Sequence, residues 1–377
     1  MGNQASKVLA ASNNKKKNQS KSKQRPMSTS VASQGNYDWL DQDPHSSNEN
    51  MALNAAVSAA VALQQQKQQK PEISQSVPAP PSPTALKFNN TRRKSISEFF
   101  ARRKQSMASL HPTIAEEDRK EYDRLQRQHY LLKSTRKGNF WAPIQSPKVI
   151  VEAGTGSGIW ALEMAAQFPE CQVLGLDLKP PVFQHGNPTN LRYNQTNLNE
   201  SWPMNDNTVD FIFQRNMYLQ IQIGQWPTLL EEMFRVLKPG GYIELLEPDF
   251  WHHSTGPVQQ AFREFFLEQC KVKNVDPEAA CSLAGTIEEK GFQEIERRIL
   301  DIPIGEWPSE PELKQYGFIN KEIQKTLLKN RKTLYLPKWG ITPSEYDLAV
   351  TSILDEFEEC ETFSRFNCWM ARKPLEE

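Results

Sequence analysis

Val149-Ile-Val-Glu-Ala-Gly-Thr-Gly-Ser-Gly-Ile-Trp160 joins an apolar run to three glycines set at every second position. Its apolar opening predicts a short strand over 149–152, with Glu152 at the end. Gly154, Gly156 and Gly158 then predict a tight turn into a helix over 159–167. Glycine permits such a turn, and its lack of a Cβ lets a ligand lie against the backbone. Asp177 ends the next predicted strand, 172–177, where a carboxylate can accept both hydrogen bonds of a ribose diol.

Working outward, short β-rich runs alternate with helical periodicity. An N-terminal helix is expected over 116–133, strands over 191–194 and 209–214, a helix over 226–237 and a strand over 241–247. Helices follow over 258–272, 278–289, 311–334 and 343–359, with strands over 295–303 and 363–371. This alternation predicts an α/β fold: a Rossmann-like, mostly parallel sheet with helices on both faces. The helices inserted before the final strand are expected to form a lid at the C-terminal end. The domain is expected to occupy 116–377, behind a basic, low-complexity, disordered arm over 1–115.

Charge sharpens that division. The chain is neutral overall, yet residues 1–110 carry 16 Lys/Arg against 6 Asp/Glu; from totals of 45 and 45, the remainder carries 29 against 39. The acidic body is a poor partner for nucleic acid, while the arm suits an anionic surface. Met1-Gly2-Asn3-Gln4-Ala5-Ser6 fits the N-myristoylation pattern at Gly2. One acyl chain binds membrane only marginally, and Lys15, Lys16, Lys17, Lys21, Lys23 and Arg25 supply the second signal. The expectation is a cytoplasmic protein attached peripherally to membrane, with nuclear import as the competing reading of the same lysines. Ser95 and Ser106 follow Arg92-Arg-Lys and Arg103-Lys-Gln and are candidate phosphorylation sites, where a phosphate would weaken such attachment. The five cysteines show no CxxC spacing and read as reduced thiols.

The glycine turn by itself also fits a dinucleotide fingerprint, through Gly156-x-Gly158-x-x-Ala161. Glu152 argues against that reading, because a carboxylate there would repel a pyrophosphate and attract a cationic amine. The Gly-x-Gly-x-Gly spacing and the Leu237-Lys-Pro-Gly-Gly241 turn before a strand point the same way.

Together with Glu121-x-x-Arg124-x-x-x-Gln128-His129, Trp202-Pro203, Asp210-Phe-Ile-Phe-Gln-Arg215, Leu237-Lys-Pro-Gly-Gly-Tyr-Ile-Glu244 and Ala371-Arg-Lys-Pro374, the turn resembles class I methyltransferases. Its Gly-Ile-Trp ending is typical of a fungal subgroup that includes the LaeA-like regulators. The resemblance spans about residues 117–375 and implies S-adenosyl-L-methionine as cofactor. It implies that Glu152, Gly154, Gly156 and Gly158 hold the methionine end and that Asp177 takes the ribose hydroxyls. Leu178 would lie beside the adenine, and Asn197 would accept from its amino group where the family usually has aspartate. Arg215 would help to close the site. His129, Tyr130 and Trp141 are candidates for a roof or for packing against the sheet.

The methyl acceptor, whether small molecule or protein, is not specified by these motifs. Asp249, His252 and His253 follow the strand over 241–247, at the edge where open α/β sheets bind ligands, and are candidates for a general base. Glu247 with these three matches no compact metal motif, and no metal is expected. The alternative to an enzyme is a catalytically weak or inactive member of the fold that regulates through partner binding.

Overall fold

The computed structural model describes residues 116–181 and 186–375. The expectations for Gly2, Ser95, Ser106 and the rest of the arm lie outside the described residues. The elements run α1 (Glu116–Arg136), β1 (Val149–Ala153), α2 (Ile159–Gln167), β2 (Gln172–Asp177), β3 (Leu191–Gln195), β4 (Val209–Arg215), α3 (Trp226–Val236) and β5 (Leu237–Pro248). They continue with α4 (Pro257–Lys273), α5 (Ala279–Glu289), β6 (Gln293–Pro303), α6 (Pro311–Asn330), α7 (Lys332–Trp339), α8 (Pro343–Glu359) and β7 (Phe363–Arg372).

The strands form one sheet in the order β3-β2-β1-β4-β5-β7-β6. The first five are parallel, and β7 is antiparallel to both β5 and β6. Strand order reverses between β1 and β4, so a crevice opens at their C-terminal ends, where such sheets bind ligands. The glycine turn leaves β1 at that point.

Both faces are covered, which explains why the central strands read as nearly continuous apolar runs. Ile150, Phe213 and Leu246 join Leu132 of α1 and Trp160 and Met164 of α2 in one core. Val151, Ile212 and Leu245 point the other way, toward Leu230 and Met233 of α3 and Phe262 of α4. Trp160 stacks on Phe213 at 4.2 Å, which fixes the helix that begins at the glycine turn against β4.

The lid is built from α4, α7 and α8. Trp339 stacks on Phe265 at 5.0 Å, with Phe262 edge-on at 4.2 Å. The Tyr346 hydroxyl donates to the Leu328 carbonyl at 2.7 Å. Glu356 of α8 accepts from the Val258 and Gln259 N–H groups in the first turn of α4. A Thr342–Glu345 capping box starts α8.

Three boundaries differ from expectation for physical reasons. The single helix expected over 311–334 is two, broken at Arg331, and the second turns the bulky Tyr335 and Trp339 into the lid core. The turn at Lys238-Pro-Gly-Gly241 lies inside β5 rather than before it. Leu237 already pairs with Val209, and the next pair is Phe211 with Tyr242, so the extra residues bulge out between them. Helix α1 also runs past Lys133 to Arg136, whose guanidinium pairs with the buried Glu244 of β5.

Candidate functional site

The glycine turn is held by the neighbouring strand. Gly154 and Thr155 both donate backbone N–H bonds to the Leu176 carbonyl, at 2.8 and 3.0 Å. All three glycines have positive φ, at 74°, 50° and 74°. Their surroundings differ. A Cβ on Gly158 would strike Tyr193, whose hydroxyl donates to the Gly158 carbonyl at 2.7 Å. A Cβ on Gly154 would collide with the thioether of Met217. A Cβ on Gly156 would meet nothing within 4 Å. Gly156 therefore borders open space, and the other two glycines make close protein contacts.

Asp177 stands across from that gap. Its Oδ2 accepts from the Gly156 N–H at 2.8 Å and its Oδ1 from the Lys179 N–H at 2.9 Å. Burial raises its pKa, and those two hydrogen bonds act against the rise. Each oxygen keeps a second lone pair for a ligand hydroxyl. Leu178 is next to it and 59% exposed, an apolar side chain left uncovered at the crevice lip. Asn197 follows β3; its Oδ1 accepts from Asn199 N–H at 3.1 Å and its Nδ2 donates to Glu200 at 2.8 Å. Both ends of the amide are thus used in a local turn, although the oxygen retains one lone pair.

Glu152 is buried beneath the turn. Its Oε2 accepts from the Thr155 hydroxyl at 2.5 Å and the Ala161 N–H at 3.2 Å, while Oε1 is buried without a partner. Burial pushes its pKa up to about 7, with the Arg215 charge pulling the other way. Arg215, at the end of β4, approaches His129 Nδ1 at 3.0 Å. Guanidinium has only donors, so Nδ1 is the acceptor and the Nε2 proton faces Glu163 at 3.2 Å. Burial holds His129 neutral, at about 4, and Glu163, paired with His129 and Lys133, lies low at about 2 despite partial burial. His129 thus orients Arg215 beside Glu152. Trp141 donates its indole N–H to the Arg136 carbonyl at 3.1 Å and carries the Arg136 guanidinium on its ring, so it braces α1 against the sheet.

The three candidates after β5 separate. Asp249 and His253 form a pair, Oδ2 to Nε2 at 2.6 Å, and Asp249 Oδ1 also accepts from Asn367 and Cys281. Burial alone would raise the Asp249 pKa, but the hydrogen bonds from Cys281, Asn367 and His253 bring it below the ordinary value. His253 stacks on Phe363 and its backbone bridges to that residue. His252 instead lines a cleft with Asp249, beneath the lid. Burial drives its pKa down to about 4, so its ring is neutral. Glu247 is bound elsewhere, accepting from the Met217 and Tyr218 N–H groups at 2.7 and 3.1 Å. Among the described residues, no group of metal-type ligands comes together.

The cleft lies between the sheet edge and the lid, has a cavity volume of about 110 Å³ and is partly open to solvent. Arg124 and Gln128 of α1 reach it, as do Asn216 after β4, Phe266 of α4, Gln324 of α6 and Phe357 of α8. Consecutive residues tie it to the glycine turn: Arg215 lies beside Glu152, Asn216 lines the cleft, and Met217 covers Gly154. Sequence reasoning missed Asn216, Met217 and Trp251. It also missed the structural weight of Glu244 and Glu247, which two acids inside the apolar run Ile243-Glu-Leu-Leu-Glu247 signal, since buried charges need partners.

Comparison with known proteins agrees with this geometry. Residues 150–241 match the family model described as a methyltransferase domain. The chain is 30% identical over 251 residues to the methyltransferase pytC of Aspergillus terreus, covering 63% of this chain and 76% of that one. It is 26% identical over 276 residues to the protein-methionine methyltransferase laeA of Emericella nidulans, covering 68% and 71%. A solved structure of phosphoethanolamine N-methyltransferase 2 from Haemonchus contortus, in complex with S-adenosyl-L-methionine, aligns with a TM-score of 0.41 and 21% identity over 66% of this chain and 52% of that one. The glycine turn, the acid beneath it and the acid on the next strand therefore stand in a fold with an extended set of sequence relatives, and the chain belongs to the class I S-adenosylmethionine-dependent methyltransferases, alongside the fungal LaeA-like proteins.

Proposed function

We propose that the chain transfers a methyl group from S-adenosyl-L-methionine, held at the glycine turn, to a small molecule bound in the cleft under the lid. The open space at Gly156, with Asp177 on one side and the unpartnered Glu152 Oε1 behind the turn, carries this reading. The cofactor would supply a sulfonium methyl open to in-line attack by an aligned nucleophile, with S-adenosylhomocysteine as the thioether leaving group. This chain supplies binding and exclusion of water. Ionised Glu152 would pair with the methionine amine, and Asp177 would accept from the ribose hydroxyls. Arg215, positioned by His129, would lie beside both charges. Leu178 would cover the adenine, and Asn197 would accept from its amino group through the remaining lone pair. Transfer of radiolabel from the methyl donor into organic-extractable fractions of cell extract tests the proposal. Cofactor binding with no labelled product in any fraction would favour a regulator that keeps the fold.

A second reading has its own observation. The thioether of Met217 lies against Gly154, beside the proposed methionine subsite, and the E. nidulans relative is named a protein-methionine methyltransferase. A thioether carries no proton, so methylation of Met217 would need no base. Peptide mass spectrometry of a digest after incubation with the donor tests it through a +14 Da adduct on the Met217 peptide.

The N-terminal arm adds a proposed address: acylation at Gly2 with the following lysines would bring the enzyme to anionic membranes. Gly2→Ala should shift the protein from the membrane fraction to the soluble one.

A further inference from the structure

The cleft under the lid is apolar and aromatic for most of its wall, with Phe250, Trp251, Phe266, Tyr335, Phe357 and Phe366 presenting rings. Flat ring faces favour flat ring ligands through offset and edge-on contacts. Its charged groups are already answered from within the protein. Arg124 is gripped by both oxygens of Glu121, at 2.8 and 2.7 Å. Arg365 is held by both oxygens of Asp301, at 2.7 and 2.8 Å. Asp249 is bound by His253, Asn367 and Cys281. The cleft therefore offers little excess charge to an ionic acceptor.

Polar capacity is left over instead. Asn216 Oδ1, Trp251 Nε1 and His252 Nδ1 all belong to residues lining this cleft, and each atom is buried without a hydrogen-bond partner. An unsatisfied buried polar atom costs roughly 1–3 kcal/mol. Three lining one cleft mark a place where a bound group would be satisfied. The set combines a donor, the Trp251 indole N–H, with an acceptor, the Asn216 oxygen. His252 is neutral and offers one ring nitrogen as a further acceptor.

Resting on the functional reading above, we propose that the acceptor is an uncharged, flat, ring-bearing molecule carrying a hydroxyl, and that Trp251, Asn216 and His252 recognise that hydroxyl. The indole N–H donates to the hydroxyl oxygen, and the hydroxyl proton is taken by Asn216 Oδ1 or the His252 ring. The three are specificity-determining residues. Their position directly after Arg215 and after β5 sets the hydroxyl on the side of the cleft that adjoins the glycine turn.

Calorimetry on the full chain saturated with S-adenosylhomocysteine tests this with 2-naphthol, naphthalene and 2-naphthoate as probes. The expected order is 2-naphthol tightest, naphthalene weaker by threefold to tenfold, and 2-naphthoate weakest. Trp251→Phe keeps the ring and removes only the N–H, and His252→Leu removes the ring nitrogens. Each should weaken 2-naphthol threefold to tenfold, the range of one buried hydrogen bond, and leave naphthalene within twofold. Saturation with S-adenosylhomocysteine should be unchanged in both variants. Tighter binding of 2-naphthoate than of 2-naphthol, no binding of 2-naphthol to the wild type, or equal losses for 2-naphthol and naphthalene in Trp251→Phe would each overturn the proposal. Failure of S-adenosylhomocysteine to bind the wild type would instead overturn the functional reading beneath it.

Discussion

The glycine crevice and the lid cleft lie side by side, yet they are built in different ways. The crevice takes its parts from short range: a turn of three glycines, the acid before it and the acid at the end of the next strand, with backbone N–H groups fixing their places. The cleft takes its wall from α1, the segments after β4 and β5, the start of β7, and the helices α4, α6, α7 and α8. Backbone-built sites tolerate little change in local sequence, whereas side-chain walls can be rebuilt one residue at a time. The difference separates what the donor site fixes from what the acceptor site is free to vary.

The largest effect that would break this contrast falls on Gly156. Gly156→Arg should reduce S-adenosylhomocysteine affinity more than 100-fold by calorimetry, because the side chain would enter the only glycine-bordered gap of the turn that faces open space. The same change should leave 2-naphthol binding to the cleft within threefold. Loss of both would show one continuous site, not two.

Asp177→Ala comes next. Removing a carboxylate that accepts from ligand hydroxyls should cost about 1.5–3 kcal/mol of cofactor binding, a factor of about 10–100, as read by the thermal shift that S-adenosylmethionine produces. The free protein should lose little stability, since the Gly156 and Lys179 N–H groups lie at an exposed surface where water can replace the carboxylate.

Glu152 couples the two quantities in opposite directions. Its pKa near 7 means that the folded protein holds a proton that the unfolded chain has lost above about 4.5. This group's contribution to stability therefore declines as pH rises from about 4.5 to 7 and stays low beyond. Glu152→Gln should stabilise the cofactor-free protein at pH 8, by about 2–3 kcal/mol at most, and by nothing measurable near pH 4.5. Cofactor affinity should fall in the same variant. In the wild type it should rise from pH 6 to 8, because the amine needs the ionised carboxylate, and the variant should show no such rise. The smallest effect is expected at Asn197. Asn197→Asp should change cofactor affinity by less than about threefold, since the Asn199 N–H already occupies one lone pair of that oxygen.

The same contrast explains what could be read from sequence. The C-terminal ends of the strands, the positive-φ glycines and Asp177 follow from composition and spacing, and the structure places them within one residue of expectation. The bulge at Lys238–Gly241 was hidden because a Pro-Gly-Gly run reads as a turn, and only the partner strand reveals that pairing begins at Leu237. The break at Arg331 depends on where Tyr335 and Trp339 find their core, which is a tertiary fact. His252 and His253 looked equivalent as neighbours. In the extended segment that bridges to Phe363, successive side chains point to opposite sides, so one reaches the cleft and the other pairs with Asp249. Asn216, Trp251 and His252 come to line one cleft only through the fold, and no spacing rule links them.

Titrating S-adenosylhomocysteine into the wild-type chain and Gly156→Arg at pH 8 shows whether the bend at Gly156, between Glu152 and Asp177, grips the methyl donor. One-to-one binding by the wild type and none by a folded variant is the expected result. Equal heats from the two proteins, or no heat from the wild type, would contradict it.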